Sequence, residues 1–302
     1  MGASERMKEE STMFRVNRVC LGMLVAVVGW VACRSAAAAE ECCSAKRWKL
    51  GMQVYTLRQY TLFEALDICK KLGIKYIEMY PGQRLSPDHK RVVFSHGAPV
   101  KYREIVKKKL SENGQVALCY GVVGLGKDEA ANRKVFDFAK DMGIQTIVSE
   151  PPFDAFDVLD KLVEEYGINV AIHNHPPKSR YWDYKTVLKA VKGHSKRIGA
   201  CADTGHWMRA KIVPVEALKA LRGRIISLHF KDLNKMGRPG EHDVPWGTGV
   251  GNARAMLEEL KNQGFTGVVS IEYEHITPHL VDDLAKCVAW FNKTTAELYG
   301  KK

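Results

Sequence analysis

The stretch DVLDKLVEEYGINVAIHNH, residues 157–175, holds one complete structural unit. Val158, Leu159, Leu162, Val163 and Tyr166 recur at the spacing of a helix that buries one face. Gly167 follows, a residue that ends helices by adopting the left-handed conformation. The next run, VAI, is uninterrupted and apolar, as in a strand covered on both faces. It ends in His173 and His175. Side chains two apart on a strand point the same way, so these imidazoles leave the strand's carboxyl end together.

The unit recurs along the chain. The apolar runs are LGMQVYTL, YIEMY, VALCYGVV, TIVSE, VAIHNH, IGACAD, IISLHF and VVSIEYE. Helix-period segments lie between and beyond them at 61–72, 99–113, 128–142, 154–166, 183–192, 214–221, 252–263 and 279–298. Gly73, Gly114, Gly143 and Gly264 repeat the stop seen at Gly167, and Thr61, Asp154 and Asn252 are candidate N-caps. Strands alternating with helices imply parallel pairing through crossover helices. Eight such units predict a single-domain α/β protein, a (β/α)8 TIM barrel. An open doubly wound sheet would carry a glycine-rich phosphate loop after its first strand, and YTLRQYTL (55–62) has none.

The first 39 of the 302 residues read differently. Arg15 and Arg18 precede an apolar run from Val19 to Ala32, and CRSAAAAE follows. A basic start, a short apolar run and a small-residue site describe a signal peptide. We expect a signal peptide over 1–39 with cleavage after Ala39, a tail over 40–46 and the barrel over 47–302. The run is short for a membrane span. The protein is then exported, periplasmic or secreted, with no stable membrane insertion after cleavage. Lipid attachment at Cys33 and an uncleaved anchor helix are the alternatives.

Of eight cysteines, Cys69, Cys119, Cys201 and Cys287 lie in apolar contexts without CxxC spacing, so they read as buried thiols. The net charge of +12 is spread over helix faces, as in KKKL (107–110), rather than clustered with aromatics. That argues against nucleic acid as a partner.

In a barrel, the carboxyl ends of the strands meet at one site. The fourth run ends in Glu150 and the fifth in His173 and His175. The sixth supplies Asp203 with His206 just after it, the seventh His229 and Lys231, and the eighth Glu272 and Glu274. Alternation puts Ser227, His229 and Lys231 on one face, and Ser270, Glu272 and Glu274 on another. Each residue alone fits a cap or an ion pair. Together, inward carboxylates and imidazoles are costly to bury without a counter-charge. They suit one divalent metal ion (Mn, Co, Zn, Fe or Mg), with Glu150, His173, Asp203, His229 and Glu272 as candidate ligands.

The segments GMQVYTLR, GIKYIEMYPGQ, IHNH, DTGHW, HFKD, DVPWGTG and GVVSIEYE, in this order over residues 47–300, resemble the xylose-isomerase-like TIM-barrel sugar (phosphate) isomerase/epimerase family. The resemblance implies one divalent metal held by a carboxylate, an Asp, a His and a Glu from strands five to eight. Asp203, His229 and Glu272 match that pattern. Strand five departs from it: His173 stands where many relatives carry a glutamate, and Glu150 offers a carboxylate one strand earlier.

The implied chemistry is removal of a proton next to a sugar carbonyl through an enediolate, with Glu150, His173 and Glu272 as catalytic candidates. His175, His206, Lys231 and Trp246 are the substrate-binding candidates. Trp246 would stack on a sugar from the loop EHDVPWGTGVGN (241–252), and Tyr55, Arg58 and Tyr80 would line the mouth. Export favours a free or oxidised sugar over a sugar phosphate, so the expected partner is a small carbohydrate; a homo-oligomer is compatible with the sequence. A keto-glycoside lyase and a non-catalytic exported sugar-binding barrel share the same signals. A nuclease would need more histidine ligands and several metals.

Overall fold

The computed structural model describes residues 48–300. The expected signal peptide and tail lie outside the described residues. Each apolar run forms one strand: β1 Lys49–Gln53, β2 Tyr76–Met79, β3 Val116–Tyr120, β4 Thr146–Ser149, β5 Asn169–His173, β6 Ile198–Asp203, β7 Ile225–Phe230 and β8 Val268–Ile271. They pair in parallel and close into a barrel, β1 bonding to both β2 and β8. Register sets the site's geometry. His173 pairs with Cys201, Asp203 with His229, and His229 with Ser270, so neighbouring strand ends are level.

The helices are α1 Leu62–Lys71, α2 Val100–Asn113, α3 Glu129–Asp141, α4 Phe156–Tyr166, α5 Tyr184–Ala190, α6 Thr204–Arg209, α7 Pro214–Ala220, α8 Ala253–Asn262 and α9 Leu280–Tyr299. Among the described residues, none is long and apolar enough to cross a membrane. Thr61 and Glu64 form a reciprocal capping box on α1, and the Asn252 side chain caps α8. Asp154 does not cap α4. The chain leaves Pro152 through a tight turn at Phe153–Ala155, and Ala155 begins the helix without a side-chain cap. Gly167 ends α4 at φ +67°, as the sequence required. The rim after β2 carries a short antiparallel ribbon, Gln83–Arg84 with Val93–Phe94.

Cys69, Cys119, Cys201 and Cys287 are free and buried. Trp246 corrects an expectation. It is 2% exposed and packs against Phe230 at 4.6 Å, Trp290 at 6.3 Å and Phe291 at 6.2 Å between ring centroids. Phe230 has the opposite strand parity to His229 and faces the helix layer. Trp246 is therefore a core residue of the helix layer, with no exposed face to stack on a sugar.

The glycines beside Trp246 serve Asp232, which is buried. Its carboxylate accepts from the amides of Gly247 (3.0 Å), Gly249 (3.0 Å) and Gly251 (2.9 Å). A Cβ on Gly249 would lie 2.4 Å from that carboxylate. Asp232→Ala removes the partner of three amides, of which that of Gly251 is buried. A buried unpaired amide costs about 1–3 kcal/mol, and we expect a loss of at least that size in urea unfolding of Asp232→Ala, with the fold retained at low temperature.

Candidate active site

Above the strand ends lies a cavity of about 340 Å³, lined in part by Tyr55, Tyr80, His173, His175, His206 and Glu272. Tyr55 and Tyr80 meet edge to face at 5.2 Å and line the mouth. Arg58 instead lies over the Tyr55 ring at 4.7 Å and donates to the Glu274 carbonyl at 3.0 Å.

Beneath the cavity, His173, Asp203, His229 and Glu272 each present a ligand atom within 4.8 Å of the others, and all four are buried. Nε2 of His173, Nδ1 of His229 and Oε2 of Glu272 have no partner in hydrogen-bonding geometry. Their spacings are nonetheless short: His173 Nε2 to Asp203 Oδ2 is 3.4 Å, and His229 Nδ1 to Glu272 Oε2 is 3.1 Å. Buried polar atoms are rarely left unpaired. Lone pairs that converge without bonding to one another fit a cation at their centre, and this mixed nitrogen and oxygen set suits a divalent one.

The ring of His229 is aimed from behind. Its Nε2 lies 2.7 Å from Glu78 Oε1, and Ser270 and Gln53 donate to that same carboxylate at 3.0 and 3.1 Å. Glu78 accepts the hydrogen bond from Nε2, which turns Nδ1 towards the ligand set; metal-binding histidines are commonly oriented this way. Asn174 clips Asp203 in place, exchanging hydrogen bonds with its backbone at 3.0 and 2.9 Å. The Asp203 carboxylate also accepts from the His206 amide at 2.6 Å, which starts α6.

Lys231 takes another place than expected. Its side chain is fully buried, with Nζ 2.7 Å from Asp203 Oδ2, 2.7 Å from Glu272 Oε2 and 3.0 Å from Glu274 Oε2. Burial opposes its charge, but these carboxylates hold its pKa well above the usual lysine value. The ammonium is thus an internal counter-ion rather than a substrate contact.

On the outer wall, Nδ1 of His173 lies 3.4 Å from Glu150 Oε1, and Nδ1 of His175 bonds to that same oxygen. Burial would raise the pKa of Glu150, but its bonds to His173 and His175 hold it at about 2. His206 is fixed by Arg209, whose guanidinium lies 2.8 Å from His206 Nδ1. Arginine only donates, so Nδ1 accepts and the proton sits on Nε2. Burial, with the charges on Lys231 and Arg209, pushes His206 well below its usual range despite Asp203. Arg209 also donates to Glu274 at 2.8 Å and to Asp243 at 3.2 Å.

Residues 66–294 match a family described as xylose isomerase-like TIM barrel. The chain belongs to that family. An uncharacterised protein of Methanocaldococcus jannaschii is 34% identical over 137 residues, 43% of this chain and 46% of the relative, so the match spans about half of that relative's length. Among solved structures, an uncharacterised protein of Parabacteroides distasonis is 32% identical, with a TM-score of 0.66 over 82% of this chain and 98% of its own. A D-tagatose 3-epimerase-like protein (18% identical, TM-score 0.64, 83% and 98% covered) and IolI protein with bound zinc (20%, 0.61, 83% and 98%) share the fold.

Within this family fold, the structure brings Asp203, His229 and Glu272 together with His173, and sets Glu150 beside His173 and His175 instead of in the inner group. Glu78 and Arg209 escaped the sequence reading. Glu78 had a signal: it is a lone charge inside the apolar run YIEMY, at the parity of Tyr80. Arg209 had none, since its acidic partners Asp243 and Glu274 lie far along the chain.

Lys231→Met should cost the metal-free protein about 3–5 kcal/mol, because carboxylates remain buried without their counter-ion. Added Mn²⁺ should then raise the unfolding midpoint more than in the unaltered chain. Metal-free unfolding should also show a stability contribution from Glu150. It is present above pH 4.5 and lost as the pH falls towards 2, and Glu150→Gln should remove that part of the acid profile.

Proposed function

We propose that this protein is a divalent-metal-dependent isomerase or epimerase of an unphosphorylated sugar that carries a carbonyl group. The observation that carries this reading is the convergence of buried ligand atoms from His173, Asp203, His229 and Glu272 at the floor of a sugar-sized cavity, with His173 Nε2 and His229 Nδ1 outside any hydrogen bond. Asp203, His229 and Glu272, with Nε2 of His173, would hold the ion. When bound it would supply Lewis acidity towards a carbonyl and its neighbouring hydroxyl.

The chain's own groups provide the proton transfers. His175 is half-exposed on the cavity wall, and its Nδ1 donates a hydrogen bond to Glu150. That leaves Nε2 as the acceptor for the proton next to the carbonyl. His206, neutral and held with its proton on Nε2, donates to the oxygen that gains charge as the enediolate forms. Return of the proton to the neighbouring carbon isomerises the sugar; return from the other face epimerises it. In this reading Glu272 serves the ion rather than acting as the base.

One observation and one sequence expectation support an unphosphorylated substrate. Barrels of this kind often bind phosphate on backbone amides of the loops after strands seven and eight. Here Asp232 already fills the amides of Gly247, Gly249 and Gly251. Export, as expected from the sequence, would separate the protein from phosphorylated metabolites. The zinc in one fold relative and the epimerase likeness of another agree with this reading.

Incubating the metal-loaded protein with a panel of keto and aldo sugars in D₂O tests it. Deuterium should appear at the carbon beside the carbonyl, and His175→Ala should slow exchange by about 100-fold or more. No exchange with any sugar would refute the reading, while release of an aglycone from a keto-glycoside would assign elimination to the same residues.

A further inference from the structure

The cavity has two unlike walls. Imidazoles and carboxylates stand on one side, and Tyr55, Tyr80 and Pro81 line the other. Among the described residues, neither phenol oxygen has a hydrogen-bond partner.

Arg58 frames this second wall. Its guanidinium lies 4.7 Å from the centre of the Tyr55 ring and donates to the backbone carbonyls of Tyr55 at 3.3 Å and Glu274 at 3.0 Å. A ring and two carbonyls hold the group in place without cancelling its charge. Among the described residues, no carboxylate pairs with it. Arginines of the helix layer differ: Arg103 pairs with Asp141 at 3.1 Å, Arg133 with Glu165 at 2.7 Å and Arg254 with Glu258 at 3.0 Å. The side chain of Glu274 does not serve Arg58, because Arg209 at 2.8 Å and Lys231 at 3.0 Å already hold it. Arg84 adds a second positive charge at this corner. Burial and Tyr55 raise the pKa of the Tyr80 phenol, and the charges of Arg58 and Arg84 oppose them.

We propose that Arg58, with the phenols of Tyr55 and Tyr80, forms a carboxylate subsite, and that the substrate is a sugar acid of the uronate class. The substrate assignment rests on the proposed function and deepens it. A stacked guanidinium is pre-organised to bind both oxygens of a planar carboxylate. The acid group and the carbonyl sit at opposite ends of a hexuronate, so one end meets Arg58 while the other meets the metal side. The same charge draws an anion to a cavity whose floor is acidic. Phosphate fits less well, since the glycine amides of the loop after β7 are held by Asp232.

Calorimetric titration of the full chain with galacturonate, glucuronate and mannuronate, each beside its hexose and hexose 6-phosphate, tests the subsite without reference to turnover. At least one uronate should bind about 10-fold or more tightly than its hexose, and added salt should narrow the gap. Arg58→Gln, checked for native circular dichroism, should remove the preference. Tyr80→Phe, which deletes only a hydroxyl, should reduce it. Equal binding of every uronate and its hexose by the unaltered chain, a preference that survives Arg58→Gln, or tighter binding of the phosphates would overturn the proposal. In D₂O, exchange with neutral sugars but with no uronate would remove the subsite's role and keep the reaction. Uronate binding that depends on Arg58, with no exchange of any sugar, would keep the subsite and remove the reaction.

Discussion

The structure depends on neutralising negative charge sealed at the top of the barrel. Asp203 and Glu272 are buried there, and Glu78 lies below them. Carboxylates so far from water persist only when paired. Lys231 supplies one positive charge, and the imidazoles of His173 and His229 face the same point. Even so, His173 Nε2 and His229 Nδ1 have no partner in hydrogen-bonding geometry, and Glu272 Oε2 has only its ion pair with Lys231. A fold stabilised by hydrophobic burial alone would have no reason to keep them. A divalent ion would take up these lone pairs and the remaining charge together.

Much of the surrounding sequence holds that cluster in place. Glu78 fixes which nitrogen of His229 faces inward, and Arg209 does the same for His206. Asn174 ties the end of β6 to the residue after β5. Asp232 closes the loop after β7 by gathering its glycine amides. The Glu78–His229 and Asn174–Asp203 contacts join strand ends that are distant in sequence. Precise placement of these groups therefore comes from the closed barrel as well as from local structure.

The fold was legible because strands covered on both faces read as unbroken apolar runs, and the helices between them end in glycine at Gly73, Gly114, Gly143, Gly167 and Gly264. Alternation along a strand also exposed the shared faces of His173 with His175 and of His229 with Lys231. What stayed hidden was pairing across the barrel. Glu78 and His229 are 151 residues apart, and Arg209 and Glu274 are 65 apart. Lys231 had the right parity, but nothing local showed that carboxylates would enclose it. Trp246 misled because an aromatic in a glycine-rich loop suits a sugar platform and a helix-layer core equally well. The short helix α6 begins after Asp203, which the sequence offered both as a cap and as a ligand; its 6 residues are too few to show a helical period.

The most direct measurement is anomalous scattering from crystals grown with Mn²⁺ or Zn²⁺. A peak within bonding distance of Asp203, Nδ1 of His229 and Glu272 is the predicted result. If crystals saturated with metal show no peak there and Lys231 still bridges Asp203 and Glu272, the barrel is neutralised by its own lysine and the inner metal site does not exist.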